Sequence, residues 1–82
     1  MTASKTDIDR WLDSAKEKGA THLIVAVDRF GHDNYPIYVT PHQDVNEEIE
    51  RLDGKNMQGI DEVYNMSMNI DEQLSEYRAY NI

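Results

Sequence analysis

The chain opens on a helical pattern of apolar positions. Ile8, Trp11, Leu12 and Ala15 recur at i, i+3, i+4 and i+7, a spacing that gathers them on one face of a helix. Thr6 with Asp9 three residues later offers an N-cap, and Gly19 supplies a left-handed stop. Asp9, Arg10, Asp13 and Glu17 then point outward, and Trp11 anchors the helix in the core.

The period then changes. His22 to Val27 is continuously apolar from Leu23 and rich in β-branched residues, which predicts a strand covered on both faces and central in a small sheet. Ile37-Tyr38-Val39-Thr40 after Pro36 predicts a second strand, antiparallel to the first across a turn-forming segment over 28–35. Asp44 begins a second helix, with Glu47 completing a capping box, Val45, Ile49 and Leu52 on its inner face and Gly54 closing it. Glu47, Glu50 and Arg51 face solvent in this reading, and Glu48 and Asp53 flank the stripe. Residues 57–68 fit two patterns. Ile60, Val63 and Tyr64 suit a helix, whereas Tyr64, Met66 and Met68 alternate with polar residues; the upstream Gly54 and Gly59 favour a third strand over 61–68. Asn69 with Glu72 caps a last, short helix whose buried stripe is Ile70, Leu74 and Tyr77.

The order is therefore α-β-β-α-β-α. It predicts an α+β fold, a three-stranded, mainly antiparallel sheet packed against helices, in one compact domain over 1–82.

Composition narrows the function classes. The chain has no cysteine, which removes disulfides, thiolate metal sites and cysteine nucleophiles. Residues 1–5 hold no apolar segment of a secretion signal, and Leu23–Val27 is the longest apolar run, so a soluble, cytoplasmic protein is expected. The net charge is −8, and it is unevenly placed. Residues 44–82 carry ten acids (Asp44, Glu47, Glu48, Glu50, Asp53, Asp61, Glu62, Asp71, Glu72, Glu76) against Arg51, Lys55 and Arg78. Such a chain is repelled by nucleic acid and anionic membranes and attracted to basic protein surfaces.

Two groups of residues are candidates for function. The first is acidic: Glu47, Glu48, Glu50, Asp53, Asp61, Glu62, Asp71 and Glu76. On a helix, carboxylates at i, i+3 and i, i+4 lie about 5–6 Å apart, comparable with the charge spacing along a nucleic-acid backbone. A surface of that kind would compete for the Lys/Arg groove of a nucleic-acid-binding protein. The plainer reading is a solvated face in which Asp44, Glu47 and Glu72 cap helices. The second group is the hairpin loop, where Asp28, His32, Asp33 and Tyr35 crowd together. A histidine with two aspartates suits a metal or an acid/base pair, but Phe30-Gly31 breaks the order a calcium loop needs. Backbone-bonding turn residues explain Asp33 and Asn34 equally well. The three histidines fall in no ligand spacing, and no phosphate-cradling loop, nucleophile elbow or zinc-protease helix occurs. The expectation is a non-enzyme with no catalytic residues, metal or cofactor.

Ala20-Thr21-His22 before Ile24-Val25, then Asn34-Tyr35-Pro36-Ile37-Tyr38-Val39, then Gly54-Lys55-Asn56-Met57-Gln58, resemble small uncharacterised accessory proteins of bacteriophages and mobile elements. The resemblance spans roughly residues 10–78. It implies an accessory role in phage–host conflict, similar to anti-CRISPR proteins that occlude a nuclease complex, and it assigns no residue a role. The expectation that follows is an inhibitor of a host defence protein, such as a CRISPR-Cas component, that covers its basic nucleic-acid-binding surface and acts without touching nucleic acid or membrane. The alternative is an interaction or regulatory module that uses the hairpin loop and the aromatics Phe30, Tyr35 and Tyr80, or that forms a homodimer through a sheet edge. A small metal-dependent enzyme built on Asp28, His32 and Asp33 is a third reading.

Overall fold

The computed structural model describes residues 4–55 and 57–82. The elements follow the expected order: α1 (Lys5–Glu17), β1 (His22–Asp28), β2 (Asp33–Val39), α2 (Val45–Leu52), β3 (Gln58–Asn65) and α3 (Ile70–Leu74). The strands form one antiparallel sheet in the order β2-β1-β3, with β1 in the centre.

Helix α1 begins earlier than Thr6. Ser4 is the N-cap: its hydroxyl accepts from the Asp7 amide at 3.1 Å, and Asp7 reciprocates by accepting from the Ser4 amide. The Ser4-x-x-Asp7 cap extends the helix two residues beyond the Thr6-x-x-Asp9 one, and the added residues, Lys5 and Thr6, are polar and solvent-facing. At the other end Gly19 takes φ +69°, the left-handed geometry that a side chain resists.

Strand β1 is buried on both faces, with Leu23, Ile24, Val25 and Ala26 all at 0% exposure. Its alternating side chains feed two separate cores. Leu23 and Val25 pack with Leu12, Ala15, Tyr64 and Ala79, and with Trp11, Ile70 and Leu74 at the margin, so α1 and α3 cover this face. Ile24 packs with Val39, Val45, Ile49, Ile60 and Val63, which places α2 on the opposite face. Burying a side chain of this size stabilises by roughly 1.5–3 kcal/mol each, so the three helices are held mainly by packing.

Strand β3 lies three residues upstream of the expected 61–68, and Met66 and Met68 fall in the turn after it. The cause is a bulge. Val25 pairs with Glu62 but Ala26 pairs with Ile60, which leaves Asp61 as an extra residue. Ile60 and Val63, at i and i+3, therefore share one face of a strand, a spacing that imitates a helix in the sequence. Strand β2 starts at Asp33 and runs through Pro36, which the sheet tolerates because β2 is an edge strand. Helix α3 ends at Leu74, and Tyr77, expected in its buried stripe, lies beyond it and is wholly exposed.

The outer edge of β3 is closed by the C-terminal residues. The amide of Val63 donates to Ala79 O at 2.9 Å and the amide of Asn81 donates to Val63 O at 3.0 Å, a short parallel pairing. Arg78 caps the bulge, donating from Nε to Asp61 O at 2.7 Å and from Nη2 to Ile60 O at 2.9 Å. Gln73, 1% exposed, imitates a strand: its Oε1 accepts from the Asn65 amide at 2.7 Å and its Nε2 donates to Asn65 O at 2.9 Å. Replacing Gln73 with Leu keeps the volume but leaves both backbone groups of Asn65 without this partner. The expected loss is about 2–4 kcal/mol, read as a lower urea midpoint. A loss below about 0.5 kcal/mol would show that this edge is satisfied without Gln73.

Candidate functional site

The acidic candidates do not form one face. Glu47, Glu50 and Asp53 lie exposed on α2 or at its C-terminal cap, on one side of the sheet. Glu48 does not join them. Val45, Glu48, Ile49 and Leu52 make an i, i+3, i+4, i+7 stripe, so Glu48 is 8% exposed and its carboxylate is paired with Arg51 at 3.0 Å. The N-cap Asp44 is spent on the helix, accepting from the amides of Asn46 at 2.8 Å and Glu47 at 3.4 Å.

Asp61, Glu62, Asp71 and Glu76 lie on the other side. Because of the bulge, Asp61 and Glu62 both turn toward the face covered by α1 and α3, where Asp61 accepts from Asn34 Nδ2 at 3.2 Å. Glu62 accepts from the Ala79 amide at 3.2 Å and is hydrogen-bonded to the Tyr64 hydroxyl. Burial pushes the Tyr64 hydroxyl well above its usual range, and the carboxylates of Glu62, Glu76 and Asp61 push the same way. Those three acids thus gather around one buried phenol. Asp71 and Glu76 are exposed, and Glu76 also accepts from Asn81 Nδ2 at 3.0 Å.

The hairpin candidates do come together, at the end of the sheet where α2 finishes. Asp28 and Asp33 sit directly opposite in the register, and Asp28 accepts from the Phe30 amide at 3.0 Å. The Tyr35 hydroxyl donates to Gln58 Oε1 on β3, and burial followed by the charge of Asp28 raises its pKa. His32 is exposed in the turn at φ +59°. Met57 is brought beside the turn, its carbonyl accepting from the Arg29 amide at 2.7 Å, and it too is left-handed at φ +63°. Phe30 is 83% exposed and Met57 56%. Arg29 folds back over Gly59, where a Cβ would come within 2.5 Å of its guanidinium, so a larger residue there would push the flexible end of Arg29 aside. Among the described residues, no group of three or more His, Asp or Glu side chains is placed to hold a metal ion.

A cleft of about 340 Å³ opens at the opposite end, lined by Ala20, Thr21, His22, Asn65, Met66 and Ser67. Thr21 Oγ1 donates its one hydrogen to Val39 O at 3.2 Å, so it accepts from His22 Nδ1 at 3.0 Å. His22 Nε2 is then a bare lone pair, buried and without a hydrogen-bond partner.

Sequence reasoning passed over Met57, Arg78 and Gln73 and misplaced Tyr77. Met57 carried no signal of its left-handed backbone or of its exposure. Gln73 carried one: it is the polar position between Ile70 and Leu74 on a helix too short to turn it away.

The fold is α+β, a three-stranded antiparallel sheet with helices on both faces, and its exposed chemistry is carboxylates with scattered large apolar side chains. No protein-family model, curated protein or solved structure matches the chain. Among the described residues, no helix is long and apolar enough to cross a membrane.

The buried lone pair of His22 sets a pH dependence. Desolvation lowers the His22 pKa below its ordinary 6.5, so on acidification the unfolded chain takes up the proton first. The stabilisation is complete above that ordinary value and is lost as the pH falls below it toward the folded-state pKa. Urea unfolding at about pH 7.5 and about pH 5.5 should show lower stability at the acidic value, and His22→Gln should narrow the difference. An equal difference in the variant would assign the dependence to other groups.

Proposed function

We propose that the chain is a non-enzymatic inhibitor of the phage type, which acts in the host cytoplasm by covering a basic, nucleic-acid-binding surface of a defence protein such as a CRISPR-Cas component. The observation that carries this reading is the exposed ridge of Glu47, Glu50 and Asp53 on α2. These carboxylates are spaced by one helical turn and turned to solvent, while the single arginine of the helix is engaged with the buried Glu48. A partner whose groove is built to hold phosphates offers such a ridge the counter-charges it lacks, and association releases the ions condensed on either surface. The likeness to phage accessory proteins supplies the biological setting.

A second reading rests on the hairpin end. Phe30 and Met57 stand exposed together, and the two non-glycine residues held left-handed among those described, His32 and Met57, both lie there. Backbone strain persists where the surrounding structure imposes it, and it concentrates at binding sites. A homodimer through the open edge of β2 is less favoured, because Pro36 removes a donor from the strand that would have to pair.

Charge and apolar contact separate the two readings. Calorimetric titration of candidate CRISPR-Cas effector proteins with the triple variant Glu47→Lys, Glu50→Lys and Asp53→Lys should show at least about a tenfold loss of affinity, with a shallower salt dependence. Affinity that survives this reversal and high salt, yet falls about tenfold in Phe30→Ala, would replace the electrostatic reading with the hairpin one.

A further inference from the structure

Residues 78–82 lie along the outer edge of β3 as a bound strand lies along a sheet. Val63 donates to Ala79 O and accepts from the Asn81 amide, in parallel, with Tyr80 between them. Beyond this pairing the segment is held by side chains. In a regular strand successive carbonyls point to opposite edges, out of reach of one guanidinium. The bulge at Asp61 changes that, and Ile60 O and Asp61 O both accept from Arg78, at 2.9 and 2.7 Å. The next residue, Ala79, is 0% exposed in the cluster of Leu12, Leu23, Val25 and Tyr64, and its amide donates to Glu62 Oε2 at 3.2 Å. Tyr80 then brings its ring under the Arg78 guanidinium at 4.8 Å.

This combination is the chemistry of strand addition, in which main-chain bonds supply affinity and sites for particular side chains supply selectivity. Two selections are built in. Arginine can reach two carbonyls with one planar fork, whereas lysine brings a single point charge. At the following position only a small side chain enters the core without overpacking it. The present occupant is lightly held. Of residues 75–82 Ala79 alone is buried, and α3 before them is five residues long. Segments with so little buried apolar surface, and with backbone bonds close to solvent, open locally before the domain unfolds.

We propose that the bulged edge of β3 is a peptide-binding site of the strand-addition kind, with residues 78–82 as its resident occupant. The partner it fits is a protein presenting an extended segment in which arginine is followed directly by alanine, and that segment displaces the chain's own. The fit of the resident segment identifies the occupant: arginine on the two bulge carbonyls, a methyl in the core and a backbone parallel to β3. The α2 carboxylates take no part, so the site stands whether or not they meet a basic surface.

The probe is a synthetic peptide with the sequence of residues 76–82, titrated into the ¹⁵N-labelled full chain. In the unmodified chain the tethered segment competes at an effective concentration in the millimolar range, so the peptide binds weakly. Full-length Arg78→Ala loses the fork from its own segment at an exposed position and should bind the peptide at least about tenfold more tightly, with shifts at the amides of Ile60 to Val63. Peptides carrying Arg78→Lys or Ala79→Leu should bind that variant at least about fivefold more weakly than the parent peptide. Affinity no tighter in Arg78→Ala, indifference to both peptide changes, or shifts away from Ile60 to Val63 would each overturn the proposal. Hydrogen exchange on the unmodified chain needs no variant. The Val63 and Asn81 amides should exchange at least about a hundredfold faster than those of Leu23, Ile24 and Val25, at rates insensitive to low urea. Equal protection would mean that the segment leaves only when the whole domain unfolds, and displacement by a partner would fall with it.

Discussion

The burial of β1 on both faces is the constraint from which the rest of the architecture follows. A strand with Leu23, Ile24, Val25 and Ala26 all shut off from solvent needs a cover on each side and a neighbour along each edge. In so short a chain each remaining element has to supply one of these. Helix α1 and the C-terminal residues close one face, α2 closes the other, and β2 and β3 occupy the edges. The arrangement determines where charge can go. Each helix gives its apolar stripe to the sheet and, the buried Glu48 apart, turns its carboxylates outward, so the acids of residues 44–82 are split between two sides.

Edge chemistry limits how the molecule can meet a partner. On β3 the outward backbone groups are taken by Gln73, Arg78 and the parallel pairing of Ala79 and Asn81 with Val63. On β2 the open edge carries Pro36. One edge is occupied and the other is interrupted, which are two of the usual means by which sheets avoid pairing with another chain. The surface left open is then made of side chains on the helices, at the hairpin end and in the C-terminal segment. The same eight or so residues that protect β3 also set Tyr77 in solvent, so protection of the fold and presentation of a ring come from one piece of chain.

Much of this was legible before any coordinates. The shift from a 3.6-residue period to a β-branched run placed α1 and β1, and the unbroken apolarity of Leu23–Ala26 already implied a strand covered twice. The errors have physical sources. At β3, the bulge at Asp61 gives Ile60 and Val63 a helical spacing inside a strand, while the alternation of Met66 and Met68 extends the strand pattern into a turn. At Tyr77, an apolar residue three after Leu74 looked like a helix continuing, but α3 had ended, and its polar Gln73 was the inward residue. Glu48 was the readable miss. It stands on the α2 stripe between Val45 and Leu52, and a carboxylate there has to be buried and paired. Which acids converge was not readable, because that depends on which face of the sheet each element covers.

The imbalance of charge bears on stability as well as on recognition. Surface carboxylates repel one another, and a domain of this size has little margin, since a short chain buries a small share of its surface. Local pairing does little to offset the repulsion: two arginine–carboxylate ion pairs form among the described residues, and the first, Arg10 with Asp7, is largely exposed. The chain instead distributes its charge, with the ridge of Glu47, Glu50 and Asp53 separated by the whole sheet from the group around Tyr64. Separation keeps each group's field local, within about one Debye length at physiological salt. The topology that divides the acids thus leaves two separate acidic regions where the sequence alone suggests one excess of charge.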